Sequence, residues 1–202
     1  MKKSKLLFIS AAFSIFLSLV FSTVSFASTS SQIRNSILRM HVIANSDSEE
    51  DQQLKLKVRD AVLQQGRELF NGEIDAQSAE EKLIPKKNEL ENAAKKVITE
   101  NGFDYDVKIV IGKAFFTTRT YDGRYTLPAG EYEAVNVIIG EGKGHNWWCV
   151  MFPSLCINTS ADGDRKIKET LGDEEYDLVK NEKHEYKFFI VEFFEKIRSS
   201  FF

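Results

Sequence analysis

Residues 140–149 form the part of the chain in which side chains capable of chemistry are most dense. Their sequence is GEGKGHNWWC, with a potential nucleophile at Cys149, a base at His145 and an acid at Glu141. A Cys/His hydrolase needs its thiol and imidazole in contact, yet four residues of extended strand separate the two Cα atoms by about 13 Å. The local spacing therefore argues against a catalytic pair. A secreted hydrolase of cell wall or protein, using Cys149 or Glu141 with His145, remains the alternative from another class.

Cys149 has one other cysteine as a possible partner, Cys156. Pro153 and Ser154 lie between them and favour a turn that brings the two thiols together. In a chain outside the cytoplasm two cysteines most simply form a disulfide, and we predict one here. It would contribute about 2–3 kcal/mol to stability by closing a short loop. Two free buried thiols are the alternative.

Trp147 and Trp148 are consecutive in a predicted strand, so their indoles point to opposite faces. One can enter the core, and the other needs a cover from a helix, a loop or a partner, which makes it a candidate binding anchor. Burial of both in one domain is the simpler alternative, and a wall-polysaccharide-binding module is a further one. No cofactor or metal is predicted, because the glycine run does not match a phosphate-binding loop and the histidines lack ligand spacing.

Composition limits the class of protein. The chain has 202 residues, with 27 Lys+Arg against 30 Asp+Glu and 43% hydrophobic residues. This length suits a single domain, and the apolar content excludes a disordered chain. The sequence pI of about 5.7 argues against a nucleic-acid partner, because proteins that bind nucleic acids present a dense basic surface.

The N-terminal segment predicts export. Three lysines at positions 2, 3 and 5 precede a run at 6–21 that is apolar apart from serines, and Ser25-Phe26-Ala27 offers small residues for cleavage after Ala27. This pattern is typical of a secretory signal peptide over residues 1–27, followed by a polar linker at 28–32 and a single domain at 33–202. An uncleaved anchor is the alternative, since residues 6–27 as a helix would be about 33 Å long. Either way the domain lies outside the cytoplasm.

Hydrophobic periodicity predicts the elements that position these residues. Apolar side chains alternate as in strands at 37–44, 107–111, 115–121, 132–140 and 147–152, and they step as in helices at 49–70, 165–179 and 186–200. A further helical stretch from Asp75 contains Pro85, where a break is expected. The order predicts an α+β fold, with an antiparallel or mixed sheet of about 4–5 strands covered by helices on one face. The place of the first strand in the sheet is left open.

Two segments of the chain resemble the stage II sporulation protein R family. The first is LRMHVIANSDS at 38–48, which continues into LKLKVRDAV at 54–62. The second is PAGEYEA at 128–134 together with GEGKGHNWWCVMFPSLC at 140–156. These motifs are long and specific, and the similarity extends over residues 33–202.

The resemblance implies an exported signal of endospore formation, located between the two membranes around the forespore. Members of the family are required to activate a membrane-embedded aspartic protease of the mother cell, which then processes the precursor of sigma factor E. The implied partner is therefore that protease, and the membrane is contacted only through the N-terminal segment. The resemblance carries no catalytic residues, and we predict that the protein is not an enzyme.

Two loop-flanked, polar or glycine-rich segments are the candidate partner-binding surfaces, since binding residues concentrate in such loops. The first follows the first strand, and the second links the last two strands; their candidate residues are Asn45, Ser46 and Asp47, and Lys143, His145, Asn146, Trp147 and Trp148. The alternative is that both segments are turns that only determine the fold.

Overall fold

The computed structural model describes residues 2–69, 76–121, 123–153 and 161–180. The elements within these ranges are, in chain order, α1 (Lys2–Ser36), β1 (Leu38–Ile43), α2 (Glu49–Leu69), α3 (Ala76–Leu83), a 3₁₀ turn (Ile84–Lys86), α4 (Lys87–Glu100), β2 (Val107–Phe116), β3 (Arg119–Tyr121), β4 (Tyr125–Leu127), β5 (Gly130–Ile139), β6 (Asn146–Phe152), α5 (Ala161–Leu171) and α6 (Asp173–Lys180). The helix predicted at 186–200 lies outside the described residues.

A four-stranded mixed sheet organises the domain, in the order β2-β5-β1-β6. Strand β1 lies parallel to β5 and antiparallel to β6, and β2 pairs antiparallel with β5. A parallel pair requires a long crossover, which the helices and strands between β1 and β5 provide. The predicted α+β fold with a mixed sheet is therefore confirmed, and the first strand takes an inner position. Strands β3 and β4 form a separate two-stranded ribbon.

The first face of the sheet packs on α2, α3 and α4. The alternation in β1 directs Leu38, Met40 and Val42 into this core, where all three are fully buried. The apolar stripe of α2, with Val58 at its centre, and the stripe of α4 close the same cluster. The alternating apolar residues of β1 and the apolar stripes of two amphipathic helices thus account for this layer.

The second face of the sheet is also covered, which corrects the prediction of helices on one face. Phe116 and Tyr132 project from β2 and β5 into a second core that contains Phe26 and Ile33 of α1 and apolar residues of α5 and α6. The expectation was wrong because Arg39 and His41 make this side of β1 look exposed in the sequence. In the folded chain Arg39 is fully buried instead.

Helix α1 has two parts with different surroundings. Phe26, Thr29, Ser30 and Ile33 are buried against the domain. The large apolar side chains described nearer the start of the helix are instead exposed: Leu7, Phe8, Ile9, Phe13, Ile15, Phe16, Leu17 and Phe21. The segment 28–32, predicted to be a polar linker, is therefore helical and part of the core layer. Across the described part of the chain, no helix meets the length and apolarity required of a membrane span.

Two breaks divide the helical segments. The expected break at Pro85 is confirmed, since the 3₁₀ turn there separates α3 from α4. The helix predicted at 165–179 is instead two helices, because Gly172 adopts a left-handed φ of 83° between α5 and α6. Glycine tolerates this conformation at no steric cost, and a helix commonly ends there.

Asp164 ties α5 to α6 and to the ribbon. Its carboxylate accepts hydrogen bonds from Tyr125, from Tyr176 at 2.8 Å and from Lys180 at 3.1 Å. The bond from Tyr125, followed by those from Tyr176 and Lys180, holds the pKa of Asp164 at about 2. The ionised form is thus the one that the fold stabilises.

We expect Asp164→Asn to lower the free energy of unfolding at pH 7 by about 1 kcal/mol, a value that allows for solvent screening of a part-exposed group. Because the pKa is depressed on folding, this stabilisation is complete above about pH 4 and disappears as the pH falls through about 2. Urea unfolding of both proteins between pH 7 and 2.5 measures it. A difference that stayed constant over this range would contradict the role of ionised Asp164.

Candidate functional site

The two candidate segments meet at one end of the sheet. Strand β1 has β5 on one side and β6 on the other, so the turn after β1 lies against the connection from β5 to β6. The backbone N–H groups of Lys143 and Gly144 donate to the carbonyls of Asn45 and Ala44, at 3.1 and 3.0 Å. We call residues 44–48 and 140–146 together the loop junction. The structure thus joins two segments that are about a hundred residues apart in the sequence.

Two glycines permit the close approach of these loops. A Cβ atom on Gly144 would lie 2.1 Å from the carbonyl oxygen of Ser46, and one on Gly140 would lie 2.3 Å from Oδ1 of Asn45. Gly140 also has a left-handed φ of 55°. The glycine spacing of the 140–144 motif is therefore a requirement of backbone packing and needs no phosphate ligand to explain it.

The side chains of Asn45 and Ser46 hold the junction together. The amide oxygen of Asn45 accepts from the backbone N–H of Glu141 at 3.0 Å, and its amide nitrogen donates to Asp51 at 2.9 Å. The hydroxyl of Ser46 donates to the same carboxylate at 2.5 Å. For these two candidates the structure favours the role of fold-determining turn residues.

Asp51 is a central residue of the junction that the sequence analysis did not single out. It lies in the first turn of α2, where Ser48 caps the helix by accepting from the backbone N–H of Asp51 at 3.2 Å. Burial acts to raise the pKa of Asp51, but the hydrogen bonds from Ser46 and Asn45 outweigh burial and lower it. A helix N-terminus also favours an ionised carboxylate.

Lys55 links α2 to the second segment of the junction. It is buried, and its ammonium donates to Gln52 at 2.5 Å and to the backbone carbonyl of His145 at 2.9 Å. Burial lowers the pKa of Lys55. The sequence signal for both residues is the position of Asp51 and Lys55 one helical turn apart, beside the apolar stripe of α2.

The remaining polar candidates of the junction face solvent. Asp47 accepts from the backbone N–H of His145 at 2.5 Å and lies 2.5 Å from its Nδ1, and these contacts lower the pKa of Asp47. Lys143 lies 2.7 Å from Glu141, which raises the pKa of the lysine and lowers that of the glutamate. All four side chains are more than half exposed. The outward surface therefore mixes both signs of charge on a fixed backbone.

The two tryptophans lie on opposite faces of β6, as predicted. Trp147 is 39% exposed, and the guanidinium of Arg59 in α2 lies 4.5 Å from its ring centre. Trp148 is half-buried on the second face, stacked on His41 at 3.8 Å between ring centres. Asn146 is exposed at the start of β6. Trp147 is thus exposed beside α2, whereas Asn146 lies on the same face of β6 as Trp148, and its amide hydrogen-bonds with His41.

Cys149 is far from the exposed surface. It is fully buried in the first core with Met40 and Val42, while His145 is largely exposed in the loop. The described part of the chain has no free cysteine, and Cys156 lies outside it, so the pairing of these two residues stays a prediction. The described residues also contain no group of three His, Cys, Asp or Glu side chains placed to hold a metal ion.

The fold and this site define an α+β domain with a mixed-charge loop surface, fixed by hydrogen bonds, at one end of its sheet. A family model described as Stage II sporulation protein R matches residues 34–162, and the chain belongs to this family. The match includes β1, α2 and the whole loop junction, and it confirms the resemblance seen in the sequence.

A curated relative is Stage II sporulation protein R of Bacillus subtilis (strain 168). It is 38% identical to the chain over 140 residues, which make up 68% of this chain. The match spans 60% of the relative's own length. No solved structure matches this chain.

Proposed function

We propose that this stage II sporulation protein is an exported signal between cells, needed to activate a membrane-embedded aspartic protease of the mother cell. That protease in turn processes the precursor of sigma factor E. Family membership supports the sporulation role. The observation that carries the proposal for this chain is the loop junction, where two characteristic segments of the sequence form one exposed surface.

The junction is suited to recognition because its backbone is already ordered. Buried Asp51 and Lys55 hold the two loops from beneath, while Asp47, Lys143 and His145 stay exposed above them. A surface fixed before binding loses little conformational entropy when a partner docks. Charged side chains of both signs then favour a partner with the complementary pattern.

Activation follows from preferential binding. A protein that binds the active arrangement of the protease more tightly than the inactive one shifts the equilibrium by the difference between the two affinities. Such an activator needs contact residues and no catalytic group. The burial of Cys149 in the first core supports a contact role over a hydrolase that uses this thiol.

We further propose that the domain acts between the two membranes around the forespore, and that residues 1–27 direct its export. The basic start of the chain and the apolar run at 6–21 support this reading. The exposure of large apolar side chains such as Phe8, Phe13 and Phe16 supports it too, since the domain leaves them free for an export machinery or a lipid environment.

The proposal is tested by replacing the outward side chains of the junction. We expect Lys143→Ala, His145→Ala and Asn146→Ala together to abolish processing of the sigma-E precursor in sporulating cells. Export should be unchanged, because alanine keeps the backbone hydrogen bonds of Gly144 and His145. Thermal stability should fall only slightly, through loss of the amide contact between Asn146 and His41. Processing is read by the ratio of precursor to mature sigma factor in total cell extracts.

A matched triple variant on β2, β5 and α5 controls for the loss of surface charge. Lys113, Glu131 and Lys166 are exposed. Lys113 and Glu131 lie toward the end of β2 and β5 that is opposite the loop junction, and Lys166 lies in α5, which packs on α1 and α6. Their replacement by alanine should leave processing at the wild-type level. Normal processing in the junction variant would exclude this surface. Equal loss in both variants would mean that charge in general, rather than the junction, is required.

A further inference from the structure

Arg39 is an unusual residue for the interior of a sheet. It is fully buried, and a guanidinium stays charged in every protein environment. Its neighbours are aromatic rings: the Arg39 Cζ atom lies 4.0 Å from the ring centre of Phe116, 4.8 Å from that of Tyr132 and 5.6 Å from that of Tyr121. Its guanidinium donates a hydrogen bond to the Tyr121 hydroxyl and is also hydrogen-bonded to the buried Tyr132. A buried cation without a carboxylate is costly.

Unpartnered polar atoms concentrate around Arg39. Of the seven buried side-chain N and O atoms without a hydrogen bond in the described ranges, five belong to this neighbourhood. They are Nε and Nη1 of Arg39, Nε of Arg119, Nε2 of His41 and Oγ1 of Thr118. Buried polar groups in native proteins normally have partners, so a cluster of five indicates a site for a ligand.

Aromatic rings connect the two arginines into one site. Phe116 lies against Arg39 and has its ring centre 5.1 Å from that of Trp148. Trp148 in turn has the Arg119 Cζ atom 4.7 Å from its ring centre and stacks on His41. The Arg39 guanidinium therefore lies on Phe116 and the Arg119 guanidinium on Trp148, and these two rings contact each other edge to face. Burial lowers the pKa of His41, and the nearby charges of Arg119 and Arg39 also act to lower it, against the opposing effect of the Asn146 and Asn136 amides.

We propose that the second face of the sheet holds a carboxylate-binding site formed by Arg39 and Arg119. A guanidinium fork matches the two oxygens of a carboxylate, and its ring-covered faces leave the N–H edge as the donor surface. Moving a singly charged, planar group from water into an aromatic site also costs less desolvation free energy than moving a doubly charged phosphate. The bound carboxylate supplies the acceptors that the Nε and Nη1 atoms lack.

The ribbon is the more accessible side of this site. Thr118, Arg119 and Tyr121 lie at or beside β3 and are only half-buried, as is Trp148 on β6. A carboxylate on a small molecule or on an acidic side chain of another protein can reach Arg119 first and then Arg39. This inference concerns binding by the isolated protein and does not depend on the proposed signalling function.

Trp148 reports on the site because it contacts His41 and Arg119. The experiment uses the purified full chain with Trp147→Phe, so that emission comes from Trp148, titrated with sodium acetate, with the capped peptide Gly-Glu-Gly, and with sodium chloride at equal ionic strength. We expect a saturable change in emission with a carboxylate and none with chloride. Arg119→Gln should raise the half-saturation concentration at least tenfold, and Arg39→Met should abolish the response.

The two carboxylate probes distinguish the source of the ligand. Saturation by acetate indicates a small-molecule carboxylate, and saturation by the peptide alone indicates an acidic side chain of a partner. No carboxylate-specific change with either probe would overturn the proposal. An unaltered response in Arg119→Gln would overturn it as well, and this variant keeps the test decisive if Arg39→Met does not fold.

Discussion

Gly144→Ala is expected to lower the free energy of unfolding by about 3 kcal/mol. The added Cβ would lie 2.1 Å from the carbonyl oxygen of Ser46 and 2.9 Å from the Cβ of Ala44. Backbone of the opposite loop cannot move aside like the end of a flexible side chain, so the two loops must separate. Their separation breaks the hydrogen bonds from Lys143 to Asn45 and from Gly144 to Ala44. Urea unfolding measures the loss.

Gly102→Ala is the matched control for this substitution. Gly102 has a left-handed φ of 83°, and an added Cβ there would meet nothing within 4 Å. Its replacement should cost about 1 kcal/mol from backbone strain alone. Equal losses in the two variants would show that the contact with Ser46 is relieved by a small shift. The loop junction would then not be rigid.

The second large effect is expected from Asp51→Ala, which should lower the free energy of unfolding by about 2–3 kcal/mol at pH 7. The substitution removes the acceptor of the hydrogen bonds from Asn45 and Ser46, and it removes a negative charge from the N-terminus of α2. Since the pKa of Asp51 is lowered on folding, its stabilisation is present above the unfolded pKa and lost as pH falls below about 4.

Asp47→Ala separates the effect of a buried carboxylate from that of an exposed one. Asp47 belongs to the same loop junction, but its side chain is more than half exposed and its partner is His145 at the surface. We expect a change in stability near the error of the measurement. A loss as large as that of Asp51→Ala would mean that the junction is held from its outer surface, contrary to the hydrogen-bond network beneath it.

The Gly144→Ala variant also bears on the proposed signal. Gly144→Ala disturbs the shape of the loop junction, whereas the alanine variant at Lys143, His145 and Asn146 changes its chemistry and keeps its backbone. A partner that reads a preformed surface should respond to both changes. Processing of the sigma-E precursor in a Gly144→Ala strain, compared at equal levels of exported protein, distinguishes recognition of shape from recognition of side chains.

Local sequence determined the elements and the family. The alternation of Leu38, Met40 and Val42 predicted β1, the stripe through Val58 predicted α2, and Pro85 predicted the break between two helices. Each of these features depends on neighbours within a few residues, because the periods of strands and helices are short. The long motifs at 38–62 and 128–156 likewise carried the family resemblance, and the comparison with known proteins confirmed it.

Tertiary structure decided which of these residues meet. The sequence placed Asn45 and Lys143 in two separate candidate surfaces, but the strand order β5-β1-β6 joins them in one. The sequence alone indicated that Arg39 lies on the polar side of a strand and that Asp51 and Lys55 are ordinary helix residues. In the structure all three are buried. Burial and partnership depend on pairing between strands that lie far apart in the chain. A short-range pattern of apolar residues cannot encode that pairing, and only the packed sheet fixes it.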